Sequence, residues 1–104
     1  MTVIPEAMLE EVARRFSLLG DPTRLRVVRA LHDRGEISVQ EVAAAVGISP
    51  ANASQHLVRL REGAIVSCRR AGKSVRYQIS DPTIGSLCRT VCDSVAARIR
   101  TLSA

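Results

Sequence analysis

The chain has 104 residues and a formal net charge of +5, with 15 Lys or Arg against 10 Asp or Glu. This length supports one domain with a single core and is too short for a two-domain enzyme with a closed cleft. Aromatic residues make up only 2% of the chain, which argues against a protein that stacks single-stranded bases on an aromatic platform. No apolar run is long enough to span a membrane, and residues 1–11 carry acids rather than a basic leader, so we expect a soluble, cytoplasmic protein.

The positive charge is concentrated in the second half of the chain. Residues 1–50 carry six Arg against seven acids, whereas residues 51–104 hold nine Lys or Arg against three acids. This segregation predicts a surface for a polyanion in the second half, although a solvated basic surface would have the same composition. The only histidines, His32 and His56, are not grouped with a nucleophile, and the chain has no Gly-rich phosphate loop. We therefore do not expect an enzyme.

The first half of the chain predicts two helices in succession. Apolar residues recur every three or four positions over 5–19, which is typical of an amphipathic helix, and Gly20 ends the pattern. Asp21 is a favourable N-cap and Pro22 suits the first turn, so a second helix begins there and ends before Gly35. The buried side of this second helix is expected to comprise Leu25, Val28 and Leu31.

A helix-turn-helix is predicted over 38–62. Ser38 and Glu41 form a capping box that opens a short third helix. Gly47 suits the end of that helix, and Ser49 then caps a fourth helix. Two helices joined by a three-residue turn that contains Gly form a helix-turn-helix, whose second helix enters a groove of double-stranded DNA.

The fourth helix has one apolar face and one polar face. The apolar residues, which fall at steps of three and four and are expected to lie in the core, are Ala53, Leu57, Leu60 and Ala64. Amide and guanidinium side chains can bond the edges of adenine and guanine in the major groove, and a helix N-terminus suits phosphate. The residues with this chemistry are Ser49, Asn52, Gln55, His56 and Arg59. Of these, His56 could also be an ordinary surface histidine.

A basic hairpin is predicted over 65–79, directly after the fourth helix. Its two strands cover 65–70 and 74–79, and the second alternates apolar with polar residues. The cations of the hairpin are Arg69, Arg70, Lys73 and Arg76. Their position after a recognition helix is that of the wing of a winged helix-turn-helix, which contacts the phosphate backbone or the minor groove. The alternative is that these charges only keep the edges of the hairpin soluble.

Three stretches of the chain resemble the ArsR/SmtB repressors: "LGDPTRLRVVRAL" at 19–31, "ISVQEVAAAVGISPANASQHLVRLREGAIV" at 37–66 and "RRAGKSVRYQI" at 69–79. The resemblance implies a small dimeric winged-helix repressor that leaves its operator when a metal ion or another inducer binds. By this resemblance the recognition-helix positions are Pro50, Asn52, Ser54, Gln55 and His56. The family usually has its Gly one place after Gly63, which leaves open whether the recognition helix ends a residue early.

The inducer sites known in this family are not intact here. Many relatives bind arsenic, antimony, lead or cadmium through a Cys-x-Cys on the third helix, and the matching positions here are Ser38 and Gln40. Other relatives bind zinc or nickel through Asp-x-His and His-x-x-His or His-x-x-Glu on the last helix. Of that set only Asp81 remains, and the other positions hold Thr83, Ser94 and Ala97. The resemblance therefore does not identify the inducer.

The last helix, predicted over 83–102, carries Cys88 and Cys92 within an unbroken apolar stripe. The two thiols are either packed in a dimer interface, or bind a soft ion such as As(III), Cd(II) or Cu(I), or undergo oxidation or persulfidation. Zn(II) and Ni(II) are less favoured, because the chain has only two histidines and the zinc motif of the family is incomplete. A third ligand would be Cys68, a residue of the partner, Asp93 or His32, although for Cys68 an inward position on the strand is favoured.

Together these patterns predict one mainly α (α+β) domain over 1–104, with the element order α-α-α-α-β-β-α of a winged helix-turn-helix. The helices at 5–19 and 83–102 are expected to form the homodimer interface. The expected function is repression at an imperfect inverted repeat in double-stranded DNA, relieved by a thiophilic metal or metalloid. The alternatives are a repressor that responds to thiol oxidation or persulfides, and a winged-helix binding module without an inducer.

Overall fold

The computed structural model describes residues 3–103, which form five α-helices and a three-stranded sheet. After one 3-10 turn at Glu6–Met8, the elements in chain order are α1 (Leu9–Leu19), α2 (Pro22–Arg34), β1 (Ile37–Ser38), α3 (Val39–Val46), α4 (Pro50–Glu62), β2 (Val66–Ala71), β3 (Ser74–Ile79) and α5 (Thr83–Ser103). The predicted helices and hairpin are confirmed. The two-residue strand β1 was not predicted, because its sequence also serves as the cap of α3.

Helices α2, α3 and α4 begin where the local sequence predicts, whereas α1 begins at Leu9 rather than at residue 5. The Asp21 carboxylate accepts a hydrogen bond from the backbone N–H of Arg24 at 2.8 Å and caps α2. Ser38 and Glu41 bond each other's backbone N–H groups, both at 3.1 Å, and complete the capping box of α3. The Ser49 hydroxyl accepts from the N–H of Asn52 at 3.0 Å and caps α4. Each cap satisfies N–H groups that a helix start leaves without partners.

The sheet has the order β1-β3-β2, and both pairs of strands are antiparallel. Ala71 pairs with Ser74, so the turn of the hairpin consists of two residues, Gly72 and Lys73, rather than the three expected. Gly72 has a φ of 61°, in the left-handed region that two-residue hairpin turns require and that glycine adopts without strain. Lys73 therefore lies at the tip of the wing.

The core lies between α2, α3, α4 and the sheet. Its fully buried side chains of largest volume are Val27, Leu31, Val42, Leu57, Leu60, Ile65 and Val66. The expected burial of Leu25 is wrong, because this side chain is 41% exposed whereas Val27 is fully buried. The face of α2 that meets α3, α4 and β3 contains Val27, Val28 and Leu31, so Leu25 projects sideways toward α5.

The end of α4 also differs from the expectation. Ala64 is exposed and has a φ of 60°, and it is the one non-glycine residue in the described range with a positive φ. Gly63 is buried instead, with a φ of −85°, and a Cβ on it would lie 2.2 Å from Cδ1 of Leu18 in α1. Gly63 thus lies against the side chain of Leu18, while Ala64 makes the left-handed turn into β2.

The apolar stripe of α5 is only partly covered in the single chain. Ile84 is buried and Leu87 and Cys88 pack against the core, but Val95 is 51% and Ile99 is 57% exposed. Phe16 on α1 is similarly exposed at 53%. None of the helices in the described range is long and apolar enough to cross a membrane. The two outermost helices in sequence thus leave large apolar side chains at the surface.

Candidate nucleic-acid interface

Most of the residues predicted for the recognition helix lie on the exposed face of α4 or at its N-terminus. Asn52, Gln55 and Arg59 are exposed and lie on successive turns, and Ser49 is exposed at the N-terminus of the helix. Gln55 and Arg59 line one shallow surface recess together with half-buried Ser54. Because Ala53, Leu57 and Leu60 are fully buried on the opposite side, the polar face is held rigidly outward.

His56 is separated from this face. Its side chain is half-buried, and Nδ1 is buried without a hydrogen-bond partner among residues 3–103. It lies close enough to Asp21 to affect that carboxylate: the pKa of Asp21 is lowered first by the hydrogen bond from the Arg24 backbone, and also by the charges of Arg24 and His56. Since Asp21 is the N-cap of α2, the imidazole of His56 lies near the start of α2 rather than on the exposed polar face of α4.

Two of the four wing cations are bound to acidic residues. The guanidinium of Arg69 donates to both carboxylate oxygens of Glu36, with its Nε at 3.0 and 2.9 Å and its Nη2 at 2.6 Å. Arg76, directly opposite Arg69 in the sheet, donates from Nη2 to the backbone carbonyl of Glu36 at 2.9 Å. Arg76 also lies 3.5 Å from the Glu36 carboxylate and 3.6 Å from that of Glu41. These bonds tie the wing to β1 and α3.

The electrostatics of this cluster match its geometry. The hydrogen bond from Arg69 holds the pKa of Glu36 below its usual value, and the charge of Arg76 acts in the same direction. The same bond raises the pKa of the Arg69 guanidinium. Sequence reasoning missed Glu36, since nothing local indicates that it meets a residue 33 positions later. The pairing register of β1 with β3 is what brings them together.

The other two wing cations face solvent. Arg70 and Lys73 are exposed and form no ion pair within the part of the chain that the structure describes. Strand alternation places Arg70 on the opposite face from Arg69, and Lys73 lies in the turn. The four predicted cations therefore divide into a tethered pair, Arg69 and Arg76, and a free pair, Arg70 and Lys73.

The cysteines lie in two different places. Cys88 is half-buried and Cys92 exposed, one turn apart on α5, and both line a cavity between α2 and α5 that His32 and Asp93 also border. Cys68 pairs with Tyr77 in the hairpin and packs against the core, with Nη1 of Arg61 at 3.1 Å from its Sγ, so its expected inward position is confirmed. Among residues 3–103, no three His, Cys, Asp or Glu side chains are grouped closely enough to hold a metal ion.

The tight turn between α3 and α4, followed by a two-stranded wing, defines a winged helix-turn-helix. The helix-turn-helix domain family matches residues 19–69 of the chain. The chain is 39% identical over 95 residues to a transcriptional repressor SmtB homolog of Synechocystis sp., a match that covers 88% of this chain and 71% of that protein. It is 38% identical over 84 residues to the "Probable mercury resistance operon repressor" of Streptomyces lividans, with coverage of 81% and 66%.

Solved structures give the same assignment. The AntR antimony-specific transcriptional repressor superimposes with a TM-score of 0.84 at 31% identity, over 96% of this chain and 90% of that chain. The homodimeric winged helix-turn-helix DNA-binding domain of a possible ArsR-family regulator from Mycobacterium bovis gives 0.83 at 28% identity, over 97% and 95%. The chain therefore belongs to the ArsR/SmtB family of winged helix-turn-helix repressors, which are DNA-binding transcriptional regulators and not enzymes.

Proposed function

We propose that this chain is a homodimeric operator-binding repressor that leaves its DNA when a soft, thiophilic metal or metalloid binds Cys88 and Cys92. The observation that carries the DNA-binding part is the rigid, exposed polar face of α4 beside the two free cations of the wing. A repressor of this kind works where the operator DNA lies, which we expect to be the cytoplasm.

The polar face of α4 would lie in the major groove. Asn52 and Gln55 can bond adenine through two atoms, and Arg59 can bond guanine in the same way. Ser49 and Ser54 flank these residues and would contact the phosphate backbone near the start of the helix. Of the wing cations, Arg70 and Lys73 would bind phosphate directly, whereas Arg69 and Arg76 would hold the wing in position through Glu36. His56 would contribute less than its place in the sequence suggests.

A dimer would cover the exposed apolar side chains of α1 and α5. These include Phe16, Val91, Val95, Ile99 and Leu102. Exposed apolar patches of this kind mark interaction sites, and a two-fold axis would place two recognition helices on one side of the molecule. Two such helices read half-sites about one helical turn apart, which predicts an imperfect inverted repeat as the operator. The homodimeric Mycobacterium bovis domain supports this assembly.

The thiols of Cys88 and Cys92 support a soft ion as the inducer. Two thiols on adjacent turns of one helix can approach the same ion, and thiolate prefers soft ions such as As(III), Cd(II) and Cu(I). The described part of the chain offers no complete ligand set, so the remaining ligands would come from the partner subunit rather than from His32 or Asp93, which only border the same cavity. Relatives named for mercury resistance and for antimony support this class of inducer.

Titration of the operator complex tests the proposal. As(III), Cd(II), Cu(I), Zn(II), Ni(II) and a persulfide donor would each be added while DNA release is followed by fluorescence anisotropy. We expect the soft ions to release the DNA and Zn(II) and Ni(II) to act weakly. An ion that favours the DNA-free dimer about a hundredfold supplies roughly 2.7 kcal/mol of coupling, which is enough to be seen clearly.

Cysteine variants locate the site. The double variant Cys88→Ser, Cys92→Ser should lose the response and keep its DNA affinity, while Cys68→Ser, the matched control, should respond normally. A normal response of the double variant would mean that these thiols only pack in the interface. If Ni(II) or Zn(II) is the effective ion, the site is built from histidine and carboxylate ligands instead. If nothing added releases the DNA, the protein is a winged-helix module without an inducer of these classes.

Thiol oxidation is a second candidate, favoured by the exposure of Cys92. Two cysteines one turn apart on an intact helix are poorly placed for a disulfide with each other, so oxidation would pair them across the dimer or distort the helix. A persulfide donor would instead transfer its outer sulfur to one thiol and leave as a thiol. Release by the persulfide donor but by none of the metal ions would identify this mechanism.

A further inference from the structure

A cavity of about 510 Å³ lies between α2 and α5, away from the polar face of α4. Its apolar lining includes the buried side chains of Val28 and Ile84 and the half-buried side chain of Ile79. Small organic ligands occupy clefts of about 300 to 1,000 Å³ that are mostly apolar and carry a few polar groups. The cavity has the size and the lining of such a site.

Three arginines surround this apolar lining. Arg26 and Arg29 come from α2 and lie three residues apart, so they share one face of that helix, and Arg89 comes from α5 on the opposite wall. All three are exposed, and none forms an ion pair with another residue between 3 and 103. By contrast, Arg15, Arg24 and Arg34 each have an acidic partner. The cavity therefore has three uncompensated guanidinium groups at its edge and one acid, Asp93.

The wall of the cavity between these arginines includes a close contact between α5 and the side chain of His32. A Cβ at Gly85 would lie 2.9 Å from Nε2 of His32, so a larger residue at position 85 would require the exposed imidazole to move. Gly85 and His32 both line the cavity between α2 and α5.

We propose that this cavity binds a small amphipathic organic anion. The apolar body of the ligand would lie against Val28, Ile79 and Ile84, and its carboxylate, sulfonate or phosphate group would lie among Arg26, Arg29 and Arg89. Guanidinium groups bind such oxyanions through paired hydrogen bonds. This binding goes beyond the proposed repressor function, since it requires neither DNA nor a metal ion. Cys88 and Cys92 form part of the wall, so the occupant would lie beside the proposed ion site.

The test uses two dyes that differ by one charged group. 8-Anilinonaphthalene-1-sulfonate carries a sulfonate, and N-phenyl-1-naphthylamine is the same ring system without it. Both would be titrated against the full-length protein, with fluorescence for affinity and calorimetry for stoichiometry. We expect one sulfonate dye per chain, bound at least tenfold more tightly than the neutral dye.

Matched arginine variants assign the site. The double variant Arg26→Gln, Arg29→Gln should weaken binding of the sulfonate dye about tenfold and leave the neutral dye unchanged. Arg89→Gln, on the opposite wall of the cavity, should weaken binding of the sulfonate dye severalfold. The control Arg98→Gln, Arg100→Gln removes two exposed arginines of α5 that do not border the cavity, and it should change either affinity less than twofold. All of these side chains are exposed, so folding should be retained, which circular dichroism would verify.

Several outcomes would overturn the proposal. Equal losses in the cavity variant and in the control would show that the dye responds only to overall charge. Equal affinities for the two dyes would show that the sulfonate dye binds the exposed apolar face of α5 and not the arginines. The double variant Arg26→Gln, Arg29→Gln separates the two proposals, because it should lose affinity for the sulfonate dye while its operator complex still responds to soft ions.

Discussion

The molecule has a reading half, formed by α3, α4 and the sheet, and two outer helices, α1 and α5. The two regions differ in how many of their apolar side chains one chain buries. In the reading half, Ala53, Leu57 and Leu60 of α4 are fully buried and the wing is fixed by Glu36. In the outer helices only Leu19 and Ile84 are buried, although α5 alone has 21 residues. One chain therefore completes the surface that would read DNA, whereas the outer helices retain an apolar face that fits a partner.

A charge in the apolar face of the outer helices should have the largest effect on dimerisation and operator affinity. Val95→Glu places a charge in the middle of the apolar face of α5, and burial of an unpaired charge in an interface is strongly unfavourable. We expect a monomer at micromolar concentration and a loss of operator affinity of about a hundredfold or more, since only one half-site can then be held. Light scattering and gel-shift titration measure the two effects.

The control for this variant lies two residues further along. Ala97→Glu introduces the same charge on an exposed position of α5 outside the apolar stripe, and it should remain dimeric with normal affinity. A dimeric Val95→Glu protein with normal DNA binding would mean that the partner packs elsewhere.

A substitution in the reading half should act on base preference instead. Gln55→Ala removes an exposed amide in the middle of the polar face, and each good base contact is worth about 1 to 3 kcal/mol of discrimination. We expect the preferred base at one position of each half-site to be lost, with the dimer intact. His56→Ala should change preference less, because the side chain is half-buried and its Nδ1 is not accessible. Binding selection from a randomised operator measures both, and a larger effect of His56 would reverse this order.

Within the wing, the free and tethered cations should behave differently. Lys73→Gln removes a cation that we propose binds phosphate directly, so affinity should fall for all sequences alike and the slope of log affinity against log salt should flatten by about one. Arg69→Gln removes a side chain that already neutralises Glu36, so the salt slope of this variant should change less than that of Lys73→Gln. The wing of the variant also loses its hydrogen bonds to Glu36. Equal changes in the two slopes would show that Glu36 releases Arg69 when DNA binds.

The sequence was sufficient for features that depend on neighbouring residues. The caps at Asp21, Ser38 and Ser49 and the amphipathic pattern of α4 require only contacts within a few positions, and the structure confirms them. The role of Glu36 could not be predicted in this way, because its partner Arg69 is brought to it by strand pairing between distant segments.

Errors in the predicted core have the same origin. Helical spacing permits either Leu25 or Val27 to face inward, and the orientation of α2 against α3, α4 and β3 decides in favour of Val27. The pattern of α4 continues to Ala64 by spacing alone, yet the helix ends at Glu62, and the left-handed φ of Ala64 turns the chain into β2. Sequence periodicity does not report on the angle at which two helices meet.

The smallest expected effect concerns the junction of the two halves, where α1 packs against the end of α4. Ala64 has a φ of 60°, and a left-handed conformation costs an L-residue roughly 1 to 2 kcal/mol. Ala64→Gly removes this strain but gives the unfolded chain more freedom, which offsets about 0.4 to 1 kcal/mol. We expect a net stabilisation of about 0.5 kcal/mol by urea unfolding of the dimer at fixed protein concentration. Gly63→Ala, the neighbouring control, should destabilise by about 1 kcal/mol, because its Cβ displaces Leu18. If Ala64→Gly is destabilising and Gly63→Ala is neutral, the positive φ belongs to Gly63, and α4 ends one residue earlier.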